Sequence, residues 1–184
     1  MTIRHQSTGA PCPSRGYNLA MPGTLEGIWL KHTHRGSMAA VEAVRTIARS
    51  GLDGNINQGG RRQVTLLAAE CWQDVQRDLG RRLDPALRRA NLLVAGLDLE
   101  NSRDKVVLIG SVPILIHGET KPCARMDKVC PGLRQRLSGR WRGGAYGEIL
   151  ADGEIRIGDP VTWLGDSSNA SAGKPAVSPP SDGA

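Results

Sequence analysis

Short apolar stretches separated by glycine and polar residues dominate the middle of the chain. Strands are predicted where apolar residues alternate with polar ones, or run together, over four to eight positions. These stretches are 24–31, 62–67, 91–94, 105–110, 112–119, 145–150, 154–158 and 159–164. Asp152–Gly153 is a strong hairpin-turn signal, so the strands on either side of it are expected to pair with each other.

Helical spacing is confined to three segments. Residues 68–80 form the clearest predicted helix, with Gly80 as its expected end. Residues 131–137 predict one short helix, because Pro131 suits a first helical position. Residues 38–49 have apolar residues at helical spacing and are rich in alanine, but their β-branched residues leave a strand open. Many strands and few helices predict a mainly β fold, and a barrel fits better than a doubly wound sheet.

The two ends of the chain differ in composition from the middle. Residues 1–23 are rich in Gly, Pro and Ser and predict a flexible leader, and residues 165–184 predict a disordered, low-complexity tail. The folded unit is expected to be one domain, residues 24–164. The leader lacks the apolar segment of a secretion signal, and no apolar run reaches membrane-spanning length. We therefore expect a cytoplasmic protein with no membrane partner.

Composition and charge narrow the classes of partner. Phe is absent and aromatic residues total 3%, so the core must consist mainly of Leu, Val, Ile and Ala. The net charge of +6 suits an anionic partner such as a phosphorylated cofactor, an anionic metabolite or a nucleic acid. A barrel that binds nucleic acid needs aromatic side chains among the basic ones. Because aromatic residues are scarce in this chain, nucleic-acid binding is the least favoured of these functions.

Four cysteines are candidates for chemistry: Cys12, Cys71, Cys123 and Cys130. In a cytoplasmic chain they are expected to be thiols, and without a CxxC pair or a histidine cluster no structural zinc site is predicted. Pro122 shapes the chain before Cys123, and the charges of Lys121 and Arg125 favour a thiolate. Burial statistics alone favour an inert, partly buried cysteine, and Cys130 fits that alternative better.

Two other polar clusters precede predicted strands. Paired glycines place Arg62 and Gln63 at the start of a strand, where the backbone can approach a ligand. If residues 88–94 are extended, Arg89 and Asn91 share one face, so that the arginine can bind a phosphate and the asparagine a heterocycle edge. Each pattern also fits a solvated arginine or a hydrogen bond that stabilises a loop.

The order of these segments resembles that of bacterial MOSC-domain proteins, a family named after the C-terminal part of molybdenum-cofactor sulfurase. The resemblance spans residues 24–164. Its most specific features are Pro-Cys-x-Arg-Met at 122–126 and the closing Gly-x-Ile-x-x-Gly-Asp-Pro-Val at 153–161.

The resemblance implies a β-barrel with a few short helices and a single cysteine held at its mouth. It implies that Cys123 is the ligand of molybdenum or a sulfur carrier, and that Arg89 and Asn91 bind the pterin of the molybdenum cofactor (molybdopterin). The rest of the expected cofactor-binding set is Arg62, Gln63, Glu119, Lys121 and Arg125.

Two functions follow from this resemblance. One is a molybdenum site that reduces N-hydroxylated compounds or delivers sulfur to the metal, and the alternative is a metal-free carrier that holds a persulfide on Cys123. The sequence shows no pyridoxal phosphate lysine within a sulfurase-type aminotransferase domain. A sulfur donor or a redox partner would therefore be a separate protein.

Overall fold

The computed structural model describes residues 22–34 and 36–165, in which strands predominate. The strands are β1 (Gly23–Lys31), β2 (Met38–Val41), β3 (Ala43–Ile47), β4 (Gly51–Leu52), β5 (Val64–Ala68), β6 (Leu92–Ala95), β7 (Val106–Ile109), β8 (Val112–Glu119), β9 (Ala145–Ile149), β10 (Gly153–Arg156) and β11 (Pro160–Trp163). The helices are α1 (Ala69–Leu79), α2 (Arg125–Val129) and α3 (Leu133–Arg136), and a 3₁₀ turn spans Pro85–Arg88.

Seven of the strands close into a barrel in the order β1–β6–β5–β9–β8–β7–β11. The barrel closes where Gly23 and Thr24 of β1 pair with Val161 and Pro160 of β11. Its neighbouring strands are antiparallel except β5 and β6, which are parallel and are connected through α1. β2 pairs with the far half of β1, and β10, β3 and β4 form a small second sheet. The mainly β barrel predicted from the sequence is confirmed.

Aliphatic side chains fill the barrel. β8 alternates buried and half-buried positions along its whole length, as expected for a strand with one face inside a barrel. Leu66, Leu92, Ile114 and Ile116 are completely buried in this interior. A core of Leu, Ile and Val is what the absence of Phe requires.

A second apolar cluster lies between the barrel wall and the helices. Trp72 and Val75 of α1 belong to it together with Met126 of α2 and Leu133 of α3. The indole of Trp72 also donates a hydrogen bond to the Leu83 carbonyl, at 3.1 Å. This cluster holds α2 and α3 against α1, and so fixes the segment that follows β8.

The structure decides one local prediction that was left open and contradicts another. Residues 38–49 form the strands β2 and β3, so the β-branched residues outweigh the helical spacing. The hairpin predicted at Asp152–Gly153 is wrong, because β9 pairs with β5 and β8 whereas β10 pairs with β3. The Asp152 carboxylate instead accepts a hydrogen bond from the Ala48 amide at 2.7 Å, where the chain passes between the sheets.

The helices near residue 130 are also arranged differently from the prediction. α3 begins at Leu133, after Gly132 with φ 85°, so Pro131 is not its first residue. α2 was not predicted. The clear helix at 68–80 is confirmed as α1, which ends at Gly80 with φ 62°.

The predicted leader and tail lie outside the described residues, apart from Pro22, Gly23 and Gly165. No helix within residues 22–34 and 36–165 is long and apolar enough to cross a membrane.

Candidate functional site

Cys123 is exposed in the loop of residues 120–124, between β8 and α2, which we call the Cys123 loop. Its carbonyl accepts a hydrogen bond from the Met126 amide at 3.0 Å, and Met126 is buried in the second apolar cluster. By contrast Cys71 is half-buried, and Cys130 is buried with 3% of its surface exposed. Among the cysteines that the structure describes, Cys123 is the accessible one.

Five cations lie close enough together to perturb one another's ionisation, and two of them, Arg88 and Arg89, also interact with the charge of Cys123. This cationic cluster consists of Lys31, Arg62, Arg88, Arg89 and Arg125. Burial lowers the pKa of Lys31, and the charges of three of these arginines lower it further. None of the five forms a salt bridge within residues 22–34 and 36–165. The cluster is therefore a region of unbalanced positive charge that favours an anion.

Arg88 is the buried member of the cluster, with 7% of its surface exposed. Burial first, and then the charge of Arg62, lower the pKa of Arg88 to about 10, while Cys123 acts in the opposite direction. Arg88 therefore stays protonated at neutral pH. Its Nε and Nη2 donate to the Gly143 carbonyl at 3.0 and 2.6 Å, and Nη2 also donates to the Thr120 carbonyl at 3.0 Å. The buried cation thus fixes the start of the Cys123 loop.

Arg89 is the residue directly after the 3₁₀ turn and caps its C-terminal end. Its φ is 63°, so the chain turns sharply here, and the extended segment expected from Arg89 to Asn91 is not formed. The guanidinium donates to the carbonyl of Gly36 at 2.6 Å and to that of His34 at 3.4 Å. Burial lowers the pKa of Arg89, the charge of Arg125 lowers it further, and Cys123 raises it.

Asn91 and Gln63, both expected to contact a cofactor, are buried. The Asn91 side chain accepts from the Thr65 hydroxyl at 2.9 Å and donates to the Trp29 carbonyl at 3.0 Å, which links β1, β5 and β6. Gln63 donates to the Gly60 carbonyl at 2.8 Å and accepts from the Ile149 amide at 3.0 Å. Their amides are therefore engaged with the protein.

The remaining predicted residues lie at the surface or at the ends of strands. Arg62 is exposed, and its guanidinium lies 5.7 Å from the centre of the Tyr146 ring. The Glu119 carboxylate accepts from the Trp141 amide at 2.9 Å, which ties the end of β8 to the loop that precedes β9. Lys121 is exposed in the Cys123 loop.

An open cleft of about 300 Å³ lies beside the Cys123 loop. It is lined by Met38, Ala86, Leu87, Arg89, Arg125 and Val129. Arg125 is the second residue after Cys123, so one wall of the cleft directly follows the Cys123 loop in the chain. The lining contains two cations and no carboxylate.

A model of the MOSC domain family matches residues 53–162, more than half of the chain. The chain belongs to the MOSC domain family. The resemblance stated from the sequence is therefore confirmed. A search of curated proteins found no match.

Solved structures of the same fold agree with this assignment. The YuaD protein from Bacillus subtilis is 17% identical, with a TM-score of 0.66, over 77% of this chain and 94% of its own. YiiM from Geobacillus stearothermophilus is 15% identical, with a TM-score of 0.61, over 78% of this chain and 75% of its own. YiiM from Escherichia coli is 16% identical, with a TM-score of 0.60, over 79% of this chain and 72% of its own. At these identities the likeness shows the fold.

Two members of the cationic cluster of this MOSC domain, Lys31 and Arg88, were not predicted. Lys31 ends β1, and nothing in its sequence neighbourhood distinguishes it from a solvated lysine. The Arg88–Arg89 pair is a visible signal, but which arginine turns inward depends on the positive φ at Arg89. In the part of the chain that the structure describes, no three His, Cys, Asp or Glu side chains are grouped to hold a metal ion.

Proposed function

We propose that this MOSC-domain protein binds the molybdenum cofactor, with Cys123 as the protein ligand of molybdenum. The observation that carries the proposal is an exposed thiol that interacts with Arg88 and Arg89, two members of a cluster of five cations without a salt-bridge partner in residues 22–34 and 36–165. A phosphate-bearing pterin supplies the negative charge that this cluster favours, since guanidinium groups bind phosphate through paired hydrogen bonds.

The exposed thiol of Cys123 is a suitable protein ligand for this cofactor. In molybdopterin the pterin supplies sulfur ligands, so one thiolate from the protein suffices and a cluster of protein ligands is not needed. Thiolate is a ligand type that suits soft metal centres. Arg62 and Arg89 would hold the phosphate, while Lys121 and Arg125 would add positive charge on either side of Cys123.

The chain's own residues would prepare the site. Arg88 supplies a permanent charge beside the thiol at neutral pH, because its pKa of about 10 keeps it protonated. Gln63, Asn91 and Glu119 hold the backbone around the site through their hydrogen bonds. When bound, the cofactor would supply two-electron redox chemistry, which suits reduction of N-hydroxylated compounds or transfer of sulfur at the metal.

A second candidate is a metal-free carrier that holds a persulfide on Cys123. The exposure of Cys123 favours it, since a donor protein can reach this thiol but not the buried Cys130. The cation cluster would then stabilise the anionic persulfide. Either function is proposed for the cytoplasm, where thiols stay reduced.

The decisive experiment compares wild type with Cys123→Ser after expression in cells that make the cofactor. Molybdenum is measured by metal analysis, the pterin by fluorescence after oxidation, and persulfide by the thiocyanate released with cyanide. We expect molybdenum in wild type, loss of molybdenum in Cys123→Ser with unchanged thermal unfolding, and retention in the Cys130→Ser control. Equal molybdenum content in both cysteine variants would contradict the proposal, and thiocyanate release without molybdenum would establish the carrier instead.

A further inference from the structure

The cleft lined by Arg89 and Arg125 combines apolar walls with unbalanced positive charge. We infer that it binds the substrate of this protein as a small oxyanion on an apolar body, such as an aromatic carboxylate or phosphate. The inference rests on the proposed function for the reaction at Cys123, but the binding itself can be tested without the cofactor.

The apolar part of the inference comes from the cleft walls. Leu87 and Val129 are each 37% exposed, and both line the cleft. Met38 from β2 and Ala86 from the 3₁₀ turn complete the apolar surface. A ligand with an apolar body would remove this surface from water, which is the usual basis of small-molecule binding in clefts.

The anionic part comes from Arg89 and Arg125. Carbonyl oxygens of Gly36 and His34 hold the Arg89 guanidinium in place, so its orientation is fixed before a ligand arrives. Arg125 makes no side-chain hydrogen bond or salt bridge to any residue in 22–34 and 36–165, so its donors are free for an incoming oxyanion. No carboxylate lines the cleft to compete for either group.

The size and position of the cleft separate substrate from cofactor. At about 300 Å³ it lies at the lower end of the range for small-molecule sites, which suits a single ring better than a nucleotide. Arg62 and Arg88 belong to the cationic cluster but do not line the cleft. Arg62 would therefore serve only the phosphate of a pterin and Arg125 would bind the oxyanion of a substrate, while Arg89 is shared by the two sites.

Titration of cofactor-free protein with four probes tests the inference. The probes are benzoate, phenyl phosphate, benzamide as the uncharged analogue and acetate as the anion without an apolar body. Binding is followed by amide chemical shifts in two-dimensional NMR spectra. We expect benzoate or phenyl phosphate to shift the amides of residues 86–89 and 125–129, and to bind at least tenfold more tightly than benzamide and acetate. The tighter of the two identifies the oxyanion.

Variants separate the two parts of the cleft. Arg125→Gln should weaken binding of the charged aromatic probe about tenfold, the loss expected for one charge-assisted hydrogen bond. Val129→Ser should weaken it severalfold. The matched controls are Arg81→Gln, an exposed arginine after α1, and Leu164→Ser, an exposed leucine after β11; both should leave the affinity unchanged.

Three results would overturn the inference. They are no detectable binding, equal affinity for benzoate and benzamide, or self-association that shifts the same amides without any probe, which would make the cleft an interface between copies of the chain. A failed cofactor assignment is distinguishable, because it would leave probe binding intact while molybdenum is absent. A failed cleft assignment would leave molybdenum content unchanged.

Discussion

Arg88 links the charge of the site to the stability of the loops around it. Its guanidinium satisfies the carbonyls of Gly143 and Thr120, which belong to two different loops, and it remains buried. Removing it would leave these acceptors without a donor and would also remove a positive charge from the neighbourhood of Cys123. Leaving buried carbonyl groups without a hydrogen-bond donor lowers the free energy of unfolding substantially.

We predict that Arg88→Met lowers the free energy of unfolding by about 2–3 kcal/mol, since a buried acceptor left unpaired costs about 1–3 kcal/mol. Urea unfolding at pH 7 measures the change. Arg88→Lys should recover only part of the loss, because a single ammonium group does not reproduce the planar fork. Arg81→Met is the exposed control, and a loss as large in this variant as in Arg88→Met would refute the structural role of Arg88.

The sequence predicts Cys123, Arg62, Arg89 and Arg125 as candidate site residues, because charged residues and prolines can be recognised without a structure. It could not show which of the predicted side chains are exposed and which are buried. Asn91 and Gln63 look like possible ligands in sequence, yet their amides are engaged with strand neighbours in the core. Backbone angles set by tertiary packing decide such orientations, and sequence spacing does not record them.

At the scale of elements, the loop of residues 137–144 positions the site through close backbone contacts. Gly144 has φ 92°, and its carbonyl accepts a hydrogen bond from the amide of Thr120, the first residue of the Cys123 loop, at 2.8 Å. A Cβ added at Gly144 would collide with the Leu66 carbonyl oxygen of β5. Only glycine satisfies both requirements here.

We predict that Gly144→Ala lowers the free energy of unfolding by about 3 kcal/mol or more, because backbone strain and overpacking add. Gly139→Ala is the matched control: its φ is 77°, but an added Cβ would meet no described atom within 4 Å. Gly139→Ala should lower the free energy of unfolding by about 1 kcal/mol. Thermal or urea unfolding measures both, and equal losses would show that the contact with β5 is unimportant.

The sequence predicts where most of the strands lie, but it does not predict which strands pair with each other. The stretches that form β1, β5, β8 and β11 all have the apolar patterns of strands. The Asp152–Gly153 turn nevertheless joins two sheets, because β10 finds its partner in β3, more than a hundred residues earlier. Pairings between segments so far apart in the chain depend on tertiary packing, which the local sequence pattern does not record.

At the scale of the whole molecule, the strand pairs that close the barrel are formed by residues that precede the tail. β11 ends at Trp163, and the Leu164 amide still donates to the Val106 carbonyl at 2.8 Å. We predict that a chain ending at Leu164 melts within a few degrees of the full chain, since residues 165–184 have little apolar surface to bury. Differential scanning calorimetry tests this, and a large drop in Tm would show that the tail docks on the barrel.

The central claim is that the cationic cluster is a shaped site for a phosphate-bearing cofactor. Cofactor affinity of four single variants, Arg62→Ala, Arg89→Ala, Arg81→Ala and Arg82→Ala, tests it most directly, at low and at moderate salt. We expect losses of about tenfold or more at Arg62 and Arg89, from charge-assisted contacts. We expect small, salt-sensitive losses at the exposed Arg81 and Arg82. Equal, salt-sensitive losses at all four positions would mean diffuse attraction of an anion and would contradict the assignment of a shaped cofactor site.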